Sequence, residues 1–364
     1  MIKPVSSACN MRCRYCFYAD EASRRAVADY GRMRSDTMQQ LIRRAFLYAE
    51  GSVSFAFQGG EPTLAGIDFY RDFVAEADRQ NTRRLPVAYA LQTNGLLLDD
   101  ALCAFLSERG FLVGVSVDGA AETHDACRRD AGGAGTYDRA MAGIRALQKH
   151  GVEYNILCVV TAAAAAQPAA CWQSLAAHRC LQFIPCIDGL DGEKHDFSLS
   201  PAAYGQFLID TFACYERAWQ IGAPISERRF DNYLTLLMGG QPEACGMGGV
   251  CGRYFMVEAD GGVYPCDFYG LDGWRLGSVQ ADSFRKLEKS ERYQRFHAES
   301  RVLPPSCQTC RWLGLCKGGC RRDREPFAAG VPSENRLCEG YRMFFDACFP
   351  RMQALARRVA AHRP

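Results

Sequence analysis

The sequence predicts an α/β protein, a full or partial β/α barrel followed by a smaller metal-stapled unit. Three observations carry this. From Lys3 to about residue 190, short apolar runs alternate with longer amphipathic ones. From Cys245 the chain becomes rich in Cys, Gly and aromatics, with few long periodic segments. Nineteen cysteines occur in all, and eleven of them fall into spaced sets.

The elements follow in order. A short first strand precedes Cys9. Asp36 is expected to cap a helix carrying Met38, Leu41, Ile42 and Ala45, stopped by Gly51. Val53 to Phe57 reads as a buried strand and Val87 to Leu91 as the next. A helix from Asp99 carries Leu102, Phe105 and Leu106 and ends at Gly110. Phe111 to Val117 is another strand. Thr136 opens a helix with Met141, Ile144 and Leu147, stopped by Gly151. Tyr154 to Val160 and Leu181 to Ile187 complete the strands, with a helix entry at Ala162 to Ala166. Repeated strand–helix units imply a parallel sheet with helices outside. A barrel suits this order, and an open doubly wound sheet is the alternative. Residues 200–240 read as helical. We therefore expect a first domain over 1–240, a cysteine-rich domain over 241–340 and a C-terminal segment over 341–364. That segment is expected to hold a helix from about Tyr341 to Ala361.

Composition bounds the function. The 364 residues are 48% apolar and carry 43 basic against 41 acidic side chains, a net charge of +2. That balance points to neither nucleic acid nor an anionic membrane as partner. The start, Met1 to Cys16, is too polar for a signal peptide, and no apolar run is long enough to span a bilayer. A cytoplasmic protein is expected, and in a reducing compartment spaced cysteines read as metal ligands rather than disulfides. Cys103, Cys127, Cys158, Cys171, Cys180, Cys186, Cys214 and Cys348 lie outside the spaced sets and read as small core residues.

The first set is Cys9-Asn-Met-Arg-Cys13-Arg-Tyr-Cys16, with spacing C-x3-C-x2-C. Three thiolates on one loop suit a four-iron cluster and leave one iron open to a ligand. A zinc knuckle completed by a distant cysteine fits the same spacing. Further segments sit just past predicted strands: Gly59-Gly60-Glu61-Pro62, Gln92-Thr93-Asn94-Gly95 and Ser116-Val-Asp118-Gly119. Functional residues gather at the C-terminal ends of strands in a β/α barrel.

Taken together, these motifs resemble the radical S-adenosylmethionine superfamily, with Tyr15 as the aromatic before the third cysteine. The resemblance implies that S-adenosylmethionine chelates the open iron and is split to a 5′-deoxyadenosyl radical. It also implies a binding site made by Tyr15, Gly60, Glu61, Gln92, Ser116, Asp118, Arg128 and Ile187. Glu61 would receive the ligand's ammonium group. Ser116 and Asp118 would hold the ribose hydroxyls, Arg128 the carboxylate, and Ile187 the adenine.

The second set is Cys251-x9-Gly261-x4-Cys266, then Cys307-x2-Cys310-x5-Cys316-x3-Cys320, then Cys338. It resembles the SPASM extension of that superfamily, with Cys245 as an eighth thiolate. The implied fold is a partial (β/α)6 TIM-like barrel with a C-terminal cysteine-rich SPASM domain binding two auxiliary clusters. The resemblance assigns Cys245, Cys251, Cys266 and Cys320 to one and Cys307, Cys310, Cys316 and Cys338 to the other. The cofactors would be S-adenosylmethionine and three [4Fe–4S] clusters. Spacing alone leaves zinc open at this second set.

Segments across nearly the whole chain narrow the resemblance. Ile2-Lys3-Pro4, Cys16-Phe17-Tyr18, Ser54 to Leu64, Leu91 to Gly95, Asn155 to Thr161, Tyr264 to Tyr269, Trp274 to Gly277 and Leu315 to Arg322 are similar to anaerobic sulfatase-maturating enzymes. That family oxidises a cysteine or serine in a Cys/Ser-x-Pro-x-Arg segment of a sulfatase to Cα-formylglycine. The implied partners are a sulfatase polypeptide and an electron donor of flavodoxin or ferredoxin type. Within this segment match Asp267, next to Cys266, is the expected base. Tyr18 and Tyr269 are expected to line the substrate cleft. Modification of a ribosomally made peptide by thioether, carbon–carbon or epimerisation chemistry is the alternative activity.

Overall fold

The computed structural model describes residues 1–361, so the last three residues of the expected 341–364 segment lie outside the described residues. Six parallel strands form the main sheet: β1 (Val53–Phe57), β2 (Val87–Thr93), β3 (Phe111–Ser116), β4 (Tyr154–Val160), β5 (Cys180–Pro185) and β6 (Ser226–Glu227). They lie in sequence order from edge to edge, and β6 does not close onto β1. A doubly wound sheet would reverse its order at a switch point; this one does not, so it is an open barrel. Phe55, Leu91, Val113, Ile156 and Phe183 from successive strands are buried in one apolar cluster. Each such side chain stabilises the fold by about 1.5–3 kcal/mol.

The barrel differs from expectation at both edges. The expected first strand is reduced to single bridges from Ile2 to Phe57 and to Val257. The sixth strand is instead Ser226–Glu227, inside the stretch read as helical. Two residues are too few to carry a period. Glu227 then caps the following Arg228–Leu237 helix by accepting from Phe230 N. Asp36 is also displaced from its expected role: the helix begins at Ser35, and Asp36 sits in its first turn. Thr136 holds the N-cap position of the Tyr137–Lys149 helix without capping it. Its hydroxyl donates to Arg128 O, and Asp125 Oδ1 takes the N–H groups of Thr136 and Tyr137 instead. Asp99 caps its helix as expected, accepting from Leu102 N at 2.8 Å.

The cysteine-rich region is built round an antiparallel sheet, β7 (Met256–Val257), β8 (Gly262–Tyr264) and β9 (Gly277–Ser278). Gly261 turns the first hairpin at φ +85°, where a Cβ would lie 2.4 Å from Gln280 Oε1. Buried charge joins this sheet to the N-terminus: Glu258 Oε1 lies 2.7 Å from Lys3 Nζ and 2.5 Å from Arg25 Nη1. The closing helix starts earlier than expected, at Cys338, and runs to Ala361. It packs on the Pro201–Gln220 helix at touching backbones; a Cβ on Gly340 would lie 2.2 Å from Pro201 O. Among the described residues no helix is long and apolar enough to cross a membrane.

Candidate active site

The C-terminal ends of the strands open into one cavity of about 480 Å³. Gly59, Gly60 and Glu61 beyond β1, Gln92 of β2, Ser116 of β3, and Ile187 beyond β5 line it. Cys9, Cys13 and Cys16 line the same space. Their loop is pinned from behind: Arg12 N donates to Arg129 O at 2.7 Å and Arg14 N to Cys127 O at 3.0 Å.

Gly60 closes the loop from the other side. It has φ +54°, and Glu61 N donates to Ala8 O at 2.8 Å. A Cβ on Gly60 would sit 2.3 Å from Ala8 O, which no rotamer relieves. Gly60→Ala is therefore expected to push the Ser6–Cys9 segment away, costing about 1–3 kcal/mol and most S-adenosylmethionine binding. Thermal unfolding and equilibrium dialysis check this.

Two residues expected to contact the ligand are also bonded within the protein. Glu61 is 1% exposed. Its Oε1 accepts from Thr63 N, Thr63 Oγ1 and Thr93 Oγ1, and its Oε2 from Asn94 N at 2.8 Å. Burial pushes its carboxyl up, and those donors oppose the shift. Asp118 is 1% exposed and does not line the cavity. Its Oδ1 accepts from Val159 N at 2.8 Å, and its Oδ2 accepts from Tyr15 Oη and, at 2.9 Å, from Arg128 Nε. Asp118 thus holds Tyr15 and Arg128, two cavity-lining residues. Arg128 is left with its Nη1 pointing toward Cys13 Sγ, 3.9 Å away.

The eight later cysteines divide between two places. Cys245, Cys251, Cys266 and Cys320 line the main cavity together with the first set. Cys307, Cys310, Cys316 and Cys338 line a separate small pocket with Trp312 and Arg342. The sharp turn between Cys316 and Cys320 needs Lys317, Gly318 and Gly319 all at positive φ. A Cβ on Gly319 would lie 2.4 Å from Asn335 Nδ2. Among the described residues no three His, Cys, Asp or Glu side chains draw round a single-ion position. One tetrahedral zinc holds its sulfurs about 2.3 Å from a common point.

Asp267 opens a short 3₁₀ turn and is 9% exposed on the cavity wall. Its Oδ1 accepts from Tyr254 Oη at 3.1 Å, and its Oδ2 accepts from Gln58 Nε2 at 3.1 Å and Tyr18 Oη at 3.4 Å. Gln58 Nε2 also donates to Tyr18 Oη at 2.6 Å. Burial pushes the Tyr18 and Tyr254 phenols well above their ordinary range, so both stay protonated and donate. Tyr269 lines the cavity but is 3% exposed, and its hydroxyl donates to Glu325 Oε1 at 2.7 Å. Gln58, Tyr254 and Arg321 are cavity residues that the sequence reading passed over. Gln58 directly precedes the Gly59-Gly60 pair, a position that marked it. Tyr254 stands three residues after Cys251 with no pattern of its own.

Comparison with known proteins follows the same lines. Residues 4–162 match the family model of the radical SAM superfamily, and residues 245–311 match that of an iron–sulfur cluster-binding domain, SPASM. A cysteine-type anaerobic sulfatase-maturating enzyme of Clostridium novyi is 39% identical over 364 residues, covering 99% of this chain and 97% of that protein. A serine-type anaerobic sulfatase-maturating enzyme of Bacteroides thetaiotaomicron is 31% identical over 381 residues, covering 99% and 91%. The solved structure of native anSMEcpe with bound AdoMet and Cp18Cys peptide matches with a TM-score of 0.94 at 39% identity, covering 98% of each chain.

Proposed function

The chain belongs to the anaerobic sulfatase-maturating enzymes, and from that we propose that it oxidises the target cysteine of a sulfatase Cys-x-Pro-x-Arg segment to Cα-formylglycine. It is a radical SAM oxidoreductase that uses S-adenosylmethionine and [4Fe–4S] clusters, auxiliary ones included. Cys9, Cys13 and Cys16 hold the reactive cluster. Cys245, Cys251, Cys266 and Cys320 hold one auxiliary cluster, and Cys307, Cys310, Cys316 and Cys338 the other. When bound, these groups supply a 5′-deoxyadenosyl radical for the Cβ hydrogen and an acceptor for the electron left over.

The chain's own side chains do the rest. Gly60, Gln92, Ser116, Arg128 and Ile187 shape the S-adenosylmethionine site, with Tyr15, Glu61 and Asp118 holding that wall in place. Tyr18 and Tyr269 flank the target. Oxidising a thiol to the aldehyde level removes two electrons and two protons. Asp267 takes the proton from sulfur, and Tyr18, Gln58 and Tyr254 fix its carboxylate. Water then replaces sulfur at the oxidised carbon and sulfide leaves.

The observation that supports this best is the placement of the Asp267 carboxylate in the same cavity as the three-thiol loop. Cysteine is preferred over serine on the ground that the cysteine-type relative is 39% identical and the serine-type 31%. We assign residues 1–240 to radical formation, 241–340 to the auxiliary clusters and 341–364 to the closing helix. Nineteen unpaired thiols suit a cytoplasmic setting, with a flavodoxin or ferredoxin as donor. Incubation with S-adenosylmethionine, a reductant and matched Cys and Ser peptides tests the proposal by mass. The Cys peptide is expected to become the aldehyde at the higher rate. Faster turnover of the Ser peptide would reverse the preference, and no aldehyde from either would refute the function.

A further inference from the structure

Arg324 is the most deeply buried arginine of the cysteine-rich region, at 1% exposure. Its Nη1 donates to Val302 O at 2.7 Å and its Nη2 to Ser300 O at 2.7 Å, and its Nε has no partner. Among the described residues no carboxylate lies within ion-pair distance of it. Its neighbours differ. Arg321 is held by Glu299 at 2.6 Å and Glu325 at 2.7 Å, and Arg336 by Asp323 at 2.8 Å. A buried cation without a counter-ion is costly to keep. Some anion is therefore expected beside it.

Its surroundings name that anion. Ser300, whose carbonyl Arg324 holds, accepts from Cys251 N through Oγ at 3.1 Å. Gly318, in the turn between Cys316 and Cys320, is packed against it; a Cβ there would lie 3.7 Å from Arg324 Nη1. Val302, the other carbonyl held, leads directly to Pro304, whose O accepts from Cys307 N at 2.9 Å. Arg324 therefore stands at the junction of both cysteine sets. A [4Fe–4S] core with four thiolates is a net anion, and one-electron reduction adds a further negative charge. We propose, on the auxiliary-cluster reading given above, that Arg324 is the buried counter-charge of both auxiliary clusters and holds their reduction potentials up. It is a positioning residue of electrostatic kind, favouring the reduced state that takes the electron left by substrate oxidation.

Capping the Glu291–Arg301 helix through its last carbonyls is the competing role. The potentials separate the two. Anaerobic holoenzyme is titrated with dithionite, and the reduced clusters are followed by electron paramagnetic resonance, with iron counted on each sample. Arg324→Gln is expected to keep about twelve irons and to lower the reduced-to-oxidised ratio of the auxiliary clusters about tenfold at fixed potential, roughly 59 mV for a one-electron couple. The signal of the Cys9–Cys13–Cys16 cluster should not move. Arg324→Lys, which keeps the charge and loses the paired bonds, should hold the potentials near the wild type. Intact clusters with unmoved potentials in Arg324→Gln would overturn the proposal. So would a Lys variant shifted as far as the Gln one. If Arg324→Gln loses auxiliary iron, the Lys variant decides against the wild type: auxiliary potentials near the wild type sustain the proposal, and a reduced-to-oxidised ratio lowered about tenfold overturns it. Zinc in place of auxiliary iron in the wild type would instead strike the cluster reading itself.

Discussion

Replacing Cys9, Cys13 and Cys16 together by Ala is expected to abolish cleavage of S-adenosylmethionine and leave about eight of twelve irons. The three thiols share one loop, and that loop offers no fourth ligand. The loop itself should survive. It is fastened by backbone groups, Arg12 N to Arg129 O and Arg14 N to Cys127 O. The other eight cysteines stand on other segments, four in the cavity lining and four in a separate pocket, so their iron should stay. Iron analysis and 5′-deoxyadenosine release measure both halves. Continued cleavage, or loss of all iron, would contradict the assignment.

Asp267→Asn is expected to lower formylglycine yield about a hundredfold or more while 5′-deoxyadenosine still forms. The amide keeps the shape and can still accept from Tyr254 at Oδ1. On the other side an N–H₂ would face the donors Gln58 Nε2 and Tyr18 Oη. Gln58 can turn its own amide to relieve this, so the disturbance stays local. What is lost is the proton acceptor. Hydrogen removal from Cβ does not need it; the thiol proton does. Measuring 5′-deoxyadenosine and formylglycine separately gives the split. A normal yield from the Asn variant would remove Asp267 from the mechanism. Loss of the iron bound through Cys266 would mark it as structural.

Motif order along the chain was legible, because ligands to one loop and turns after strands leave local patterns. Strand β6 was not, since Ser226–Glu227 owes its existence to pairing with Cys180 and Leu181 rather than to any period. Nor did the motifs reveal which lone pairs were free. Glu61 and Asp118 stand where ligand contacts are expected, yet their oxygens are occupied by Thr63, Thr93, Asn94, Val159, Tyr15 and Arg128. Thr63 and Arg128 are local partners, but Thr93, Asn94, Val159 and Tyr15 come from more than 30 residues away, as Thr93 does from Glu61 at 32. Arg324 was illegible for a related reason. The run Arg321, Arg322, Asp323 and Arg324 carries no period that marks it as interior, and all four are buried. Only a fold that surrounds them with carbonyls and sulfur ligands makes that sequence an interior one.

The most direct test of the central claim uses the wild-type enzyme and a Cys-x-Pro-x-Arg peptide deuterated at the cysteine Cβ. The account predicts deuterium in 5′-deoxyadenosine together with an aldehyde, one deuterium retained, at the former cysteine. Deuterium-free 5′-deoxyadenosine, or a peptide that loses deuterium yet gains a cross-link instead of an aldehyde, would contradict it.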